Sequence, residues 1–340
     1  MPRPVAARVR AQAKANLFLR VLAREDSGYH QLETLFVRLE LADDVRVRVG
    51  PGVRGRTLDA SGGDADALGP VERNLAWRAA VSFAERTGWP DRWAIELTKA
   101  IPVGGGLGGG SADAGAVLRC LNALAPAPLG PGDLLALAGG LGADVPFVTA
   151  EAPLALAWGR GDRMLALPPL PARRVHLAVF AEGVSTPEAF RALAAARADA
   201  PAPVRPIVWT PERLARWDSV ALVAANDFEA AVFPLREDVA GVRQLFGDVA
   251  REVERRNLEP DPEDEATLAA GGTAPALDDG DTAPIALMTG SGATVALYTP
   301  LAGVAVGLEV NAPPGAGGAP PVRVLETRTA ERVAAVEVGE

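Results

Sequence analysis

Apolar positions recur along this chain with two different periods, and the switches between them mark out its elements. Across residues 8–22, Leu17, Leu19 and Val21 alternate with Asn16, Phe18 and Arg20, and further on Val45, Val47 and Val49 alternate with Arg46 and Arg48. A period of two predicts strands. A helix is expected after Asn74, a suitable N-cap, with Leu75, Ala79 and Phe83 on one side and Gly88 as its stop. Trp93, Ile95 and Leu97 mark another strand. Helices follow at 111–124, with Val117, Cys120, Leu121 and Leu124 at helical spacing, and at 133–141, with Leu134, Leu137 and Leu141. Residues 154–158 read as a strand. Between 50 and 70 the pattern lapses into a Gly/Asp-rich loop with no predicted element and no evident chemistry.

The run Pro168-Pro169-Leu170-Pro171 predicts a boundary. It separates an N-terminal domain over 1–168 from a C-terminal domain over 169–340, and 340 residues suffice for two. In the second half a strand is expected at 175–180 and a helix at 187–196, then a Pro/Ala linker at 199–206 and helical sequence over 211–256. Residues 257–284 hold no Lys or Arg, many acids and repeated Gly and Pro, the composition of a disordered acidic insertion. A strand pair at 284–288 and 293–299 surrounds Thr289-Gly290-Ser291-Gly292. A loose stretch at 311–321 then precedes a last strand at 322–325.

Charge and cysteine content narrow the function classes. The net charge is −9 with no basic block, which argues against a nucleic-acid partner. A single cysteine excludes an internal disulfide framework and a cysteine-cluster metal site. No apolar run approaches the ~20 residues that span a bilayer. The first residues lack the apolar core of a secretory signal. A reduced, cytoplasmic setting without membrane attachment is the expectation.

The concentrated signal is Pro102-Val103-Gly104-Gly105-Gly106-Leu107-Gly108-Gly109-Gly110-Ser111, with six glycines in seven positions running into a helix. Such a loop turns backbone N–H groups on an anion without side chains intervening, and the helix start adds free donors and the positive end of its dipole. It ends in no Lys-Ser/Thr pair, so it is not a P-loop. No acidic residue follows at the distance a dinucleotide motif requires. The chemistry is therefore phosphate binding, which by itself specifies no enzyme. The polar residues that stand out in the first half are Lys14, Asn16, His30, Ser111, Asp113 and Asp144. Lys14 interrupts an apolar strand, where a lone ammonium is costly to bury, and a carboxylate such as Asp144 would offset that cost. A phosphoryl-transfer pair and a plain ion pair closing two loops fit these residues equally. Tyr29-His30, after a turn, offers a ring and a hydrogen-bonding group suited to a flat polar ligand.

Taken in order, Lys14-Ala-Asn16-Leu-Phe-Leu, Gly28-Tyr29-His30, Pro102 to Ser111, Gly142-Ala-Asp144-Val-Pro146 and Gly290-Ser-Gly-Ala293 resemble the GHMP kinase superfamily over about residues 8 to 300. The Gly-Tyr-His and Gly-Ala-Asp-Val-Pro elements resemble its branch acting on a cytidyl diphosphate sugar alcohol in isoprenoid precursor synthesis. The resemblance implies a two-domain α/β fold, with an N-terminal domain like domain 2 of ribosomal protein S5 and a ferredoxin-like C-terminal domain. It implies ATP and Mg²⁺ as cofactors, and a monomer or homodimer. Asp144 matches the catalytic base and Lys14 the catalytic lysine. Pro102, Gly104, Gly105, Gly106, Leu107, Gly108, Gly109, Gly110 and Ser111 match the nucleotide loop. Tyr29 and His30 match cytosine-binding residues, Phe190 the aromatic stacking on the base, and Asn16 a substrate-site position. Ser111 is a candidate Mg²⁺ ligand; the full ligand set is not defined. The chain departs from the pattern at Ala112, where a second serine is usual, and at Gly115, where alanine is common. The alternatives are a homoserine, mevalonate or sugar kinase of the same superfamily, and a non-catalytic nucleotide-binding module.

Overall fold

The computed structural model describes residues 5–25, 30–199, 209–258, 282–292, 294–300 and 322–339. These form two compact units, residues 1–169 with 329–340, and residues 170–328.

The first unit is built on two long strands, β1 (Val5–Arg24) and β2 (His30–Val49), paired antiparallel along their length. The far edge of β2 is divided. Its second half pairs with β4 (Trp93–Thr98), which pairs in parallel with β3 (Arg56–Ser61). Its first half pairs with β5 (Leu154–Gly159), which carries β6 (Arg163–Leu167). β3 lies where the sequence suggested a loop, and β6 where no element was expected. Both are mostly exposed strands bonded along one edge, so no apolar alternation was there to read.

Among the described residues this unit holds four α-helices, α1 (Leu75–Thr87), α2 (Gly109–Leu124), α3 (Pro131–Gly139) and α4 (Val145–Thr149). Asn74 caps α1 by accepting from the Ala76 N–H at 2.8 Å, and Gly88 ends it at φ +72°. In α2 every residue from Ala112 to Leu121 is buried, because the helix packs against β1, β2, α1 and α4 at once. Gly115 sits at the closest approach. A Cβ there would lie 3.0 Å from the Thr149 nitrogen and the Val148 carbonyl carbon, so the departure from alanine lets α4 draw against α2.

The second unit contains β7 (Arg173–Phe180), α5 (Thr186–Asp199), the short helices α6 (Pro211–Leu214), α7 (Trp217–Ala221) and α8 (Glu229–Val232), then α9 (Glu237–Leu258), β8 (Ile285–Met288), β9 (Thr294–Pro300) and β10 (Val322–Arg328). Its sheet order is β10-β7-β9-β8, the 4-1-3-2 arrangement of the expected ferredoxin-like half. The helical stretch expected over 211–256 is divided into α6, α7, α8 and α9, and its longest interruption, 222–228, contains Asn226. The Asn226 side chain accepts from the Phe228 N–H at 3.0 Å and donates to the Met288 and Gly290 carbonyls at 2.7 and 2.8 Å. A residue tied to a neighbouring turn in this way cannot continue a helix.

The last strand, β11 (Glu337–Gly339), pairs with the start of β1, so residues 329–340 lie with the first unit. Most of the acidic stretch 257–284, the linker 199–206 and the stretch 311–321 fall outside the described residues. Among the described residues no helix is long and apolar enough to cross a membrane.

Candidate active site

The register of β1 on β2 breaks between Gln12 and Lys14 and again between Asn16 and Phe18. Such irregularities re-aim side chains and free backbone groups. Here the Lys14 N–H donates to the Leu107 carbonyl at 3.0 Å, fastening the glycine loop onto β1. Residues 11 to 19 are buried throughout, so the alternation seen in sequence does not separate a core face from a wet one.

Lys14 and Asp144, 130 positions apart by number, meet: Nζ lies 3.2 Å from Oδ2. The Lys14 side chain is 5% exposed and that of Asp144 32%, so the ammonium is enclosed while the carboxylate opens to a ligand. Lys14 also donates to Asn16 Oδ1 at 3.0 Å and lies 5.4 Å from the centre of the Phe36 ring. Asn16 in turn donates to Thr34 Oγ1 at 2.7 Å, whose hydroxyl donates to the Phe18 carbonyl at 2.7 Å. Asp144 is the N-cap residue of α4, yet its side chain makes no capping bond. The carboxylate is left for Lys14 and for whatever binds beside it.

The glycine loop reaches the same place. Gly104, Gly106 and Gly108 have φ of +78°, +73° and +70°, conformations that L side chains resist. A Cβ at Gly108 would come within 2.9 Å of Lys14 Cγ, so this glycine is required by the lysine beneath it. The loop ends at the start of α2, where Gly110 is exposed and Ser111 half-buried. A bare helix start next to a buried cation and a half-open carboxylate suits a polyphosphate and an acceptor hydroxyl.

Behind the loop is a buried charge cluster in which the sequence singled out Asp113 but not Asp43 or Lys99. Lys99 Nζ donates to Asp113 Oδ2 at 2.6 Å and to Asp43 Oδ2, and all three side chains are at most 1% exposed. Asp43 Oδ1 accepts from the Ala100 and Ile101 N–H groups at 2.6 and 2.8 Å, tethering the residues that lead into the loop. Asp113 Oδ1 is buried with no hydrogen-bond partner. Burial, partly offset by the Lys99 charge, pushes the Asp113 carboxyl up to about 7. The same two carboxylates raise Lys99 against its own burial. The stretch 50–70, read as inert, also supports the loop: Asp64 Oδ2 accepts from the Val103 N–H at 3.2 Å, and a Cβ on Gly62 or Gly63 would meet the Lys99 carbonyl at 2.9 Å.

Of the remaining expected residues, His30 is the half-buried first residue of β2, and Tyr29 lies outside the described residues. Phe190 belongs to α5 in the second unit, edge-on to Phe228 at 4.9 Å between centroids. In that unit the Ser291 and Thr186 hydroxyls are 2.9 Å apart. No group of three His, Cys, Asp or Glu suited to a metal occurs among the described residues.

Residues 74–151, which span α1, the glycine loop, α2 and Asp144, match the GHMP kinases N terminal domain, a family of small-molecule kinases. Comparison over the whole chain is more specific. The chain is 37% identical over 318 residues to the 4-diphosphocytidyl-2-C-methyl-D-erythritol kinase of Mycolicibacterium gilvum, covering 93% of this chain and 88% of that one. It is 35% identical over 325 residues to the enzyme of the same name from Nocardia farcinica, covering 95% and 94%. A crystal structure of a 4-(cytidine 5'-diphospho)-2C-methyl-D-erythritol kinase matches with a TM-score of 0.59 at 32% identity, covering 86% of this chain and 89% of that one. The chain belongs to the 4-diphosphocytidyl-2-C-methyl-D-erythritol kinase family.

Proposed function

We propose that this protein transfers the γ-phosphoryl group of ATP to the 2-hydroxyl of 4-diphosphocytidyl-2-C-methyl-D-erythritol, a step in isoprenoid precursor synthesis in the cytoplasm. The observation that carries the mechanism is the 3.2 Å contact between Lys14 and Asp144 beside a glycine loop whose Gly108 leaves no room for a Cβ. Family membership supports the choice of substrate.

In this mechanism the N–H groups of residues 104–111 hold the phosphates, with the dipole of α2 behind them. Asp144 accepts a hydrogen bond from the substrate hydroxyl and takes its proton. In a loose transition state the proton becomes acidic only as the new P–O bond forms, so a strong base is not needed. Lys14 keeps Asp144 oriented and offsets charge developing on the transferred group. Asn16, tied to Thr34, fixes Lys14 from the other side. Mg²⁺ would neutralise phosphate charge, with the Ser111 hydroxyl as a protein ligand and water and phosphate oxygens completing its shell. His30 and Tyr29 would bind the cytosine.

The test is ADP release with 4-diphosphocytidyl-2-C-methyl-D-erythritol, homoserine and mevalonate offered separately. The cytidyl substrate is expected to exceed the others by at least about 100-fold in kcat/KM, because a site built for a base rejects molecules that leave its polar groups unpaired. Equal turnover on homoserine would refute the substrate assignment, and no turnover on any would refute catalysis.

A further inference from the structure

Arg38 stands in an apolar run, Leu35-Phe36-Val37-Arg38-Leu39, and is 1% exposed. Among the described residues its side chain donates only to backbone carbonyls. Nε donates to Ala152 O at 3.0 Å, and Nη2 approaches Phe147 O, Val148 O and Ala150 O at 2.9, 3.0 and 2.7 Å. The guanidinium also lies 5.2 Å from the centre of the Phe147 ring. All four carbonyls belong to the end of α4 and the turn after it, and α4 is the five-residue helix that Asp144 begins.

A helix this short cannot hold itself together, since most of its carbonyls have no partner within it. One planar cation satisfying that end supplies what the helix lacks, and a positive charge suits a helix C-terminus. The anchor is rigid: the Arg38 N–H donates to Pro153 O at 2.9 Å, and Arg38 O accepts from the Ala330 N–H at 2.8 Å. Arg38 is also the direct cross-strand partner of Lys14, so the two side chains leave the same face of the sheet. Lys14 meets the carboxylate at one end of α4 and Arg38 the carbonyls at the other. Between them Phe36 and Phe147 stack at 5.0 Å, with Lys14 over one ring and Arg38 over the other.

We infer that Arg38 is a positioning residue for phosphoryl transfer, clamping the C-terminal end of α4 so that Asp144 is presented to Lys14 and to the acceptor hydroxyl. The inference rests on the proposed role of Asp144. A buried guanidinium without a carboxylate costs stability that an apolar side chain of similar size would not, and orienting the base is the function that cost serves.

The test is a double-mutant cycle with ATP and the cytidyl substrate. Arg38→Met should lower kcat by about 10–100-fold while both KM values stay within about threefold, because a small misplacement of a reacting group slows chemistry without weakening binding. In an Asp144→Asn background Arg38→Met should change kcat by less than about threefold, since the group it positions is already gone. Arg38→Lys keeps a cation but not the planar fork, and should fall between wild type and Arg38→Met; it carries the cycle if Arg38→Met is not recovered folded. Additive losses in the cycle, or an Arg38 variant with wild-type kcat, would overturn the Arg38 inference and leave the Asp144 assignment standing. Wild-type kcat in Asp144→Asn alone would overturn both.

Discussion

Replacing Gly108 with alanine separates the two demands that meet at that position. The backbone there is left-handed, φ +70° and ψ 24°, which costs an L residue about 1–2 kcal/mol. The second demand is spatial. A Cβ would stand 2.9 Å from Lys14 Cγ and 3.1 Å from Cε. Cγ is only two bonds from the backbone, and β1 is buried there, so the lysine relieves the collision by turning its whole stem. That movement breaks the contacts at 3.0 Å to Asn16 and 3.2 Å to Asp144. Because Asp144 is one-third exposed, water replaces part of what it loses, and the stability cost stays near the backbone figure, about 1–3 kcal/mol. Turnover is more sensitive: displacing a catalytic group by about 1 Å costs about 100-fold.

Gly88→Ala is the matched control, with φ +72° and nothing within 4 Å of the added Cβ. Urea denaturation should show similar losses for the two variants, whereas ADP release with the cytidyl substrate should fall about 10–100-fold in Gly108→Ala alone. If both variants turn over alike, Lys14 tolerates displacement and the reasoning that links the glycine to catalysis fails.

Two further predictions follow from the charges around the loop. Asp144→Asn should lower kcat by about 10²–10⁴-fold, the usual worth of a positioned base, with nucleotide affinity by calorimetry changed less than about threefold; an Asn variant with near-wild-type turnover would remove Asp144 from the chemistry. Asp113 has a folded-state pKa raised from 3.8 to about 7, so its contribution is fully present below about pH 4 and is lost as the pH rises to about 7. Asp113→Asn should therefore gain on wild type across that window in urea denaturation and hold a constant difference above it, and parallel curves from about pH 4 to about pH 8 would contradict the assigned burial cost.

What was legible in the sequence is what local pattern can carry. The caps of α1 were visible because Asn74 and Gly88 act within a few residues of themselves, and the glycine loop was visible because its function requires an absence of side chains. The expectation that Lys14 would find Asp144 came from the cost of burying an ammonium, and the two do meet. Strands β3 and β6 were not visible, because neither buries a continuous face. The cluster of Asp43, Lys99 and Asp113 was hidden for a different reason. Lys99 is 56 positions from Asp43 and 14 from Asp113; Asp113 stands out between Ala112 and Ala114, but Asp43 and Lys99 sit beside Asp44 and Thr98 and look ordinary in one dimension. Arg38 did leave a signal, a single charge within an apolar run, but the run says only that the charge is buried and not what receives it. That depends on register. Lys14 faces Arg38 because the pairing shifts between Gln12 and Lys14 and shifts again after Asn16, and a slip of one residue would send either side chain to the opposite face. The geometry proposed here for Asp144 is therefore held by two irregularities in a strand pair, which no count of apolar positions along either strand could reveal.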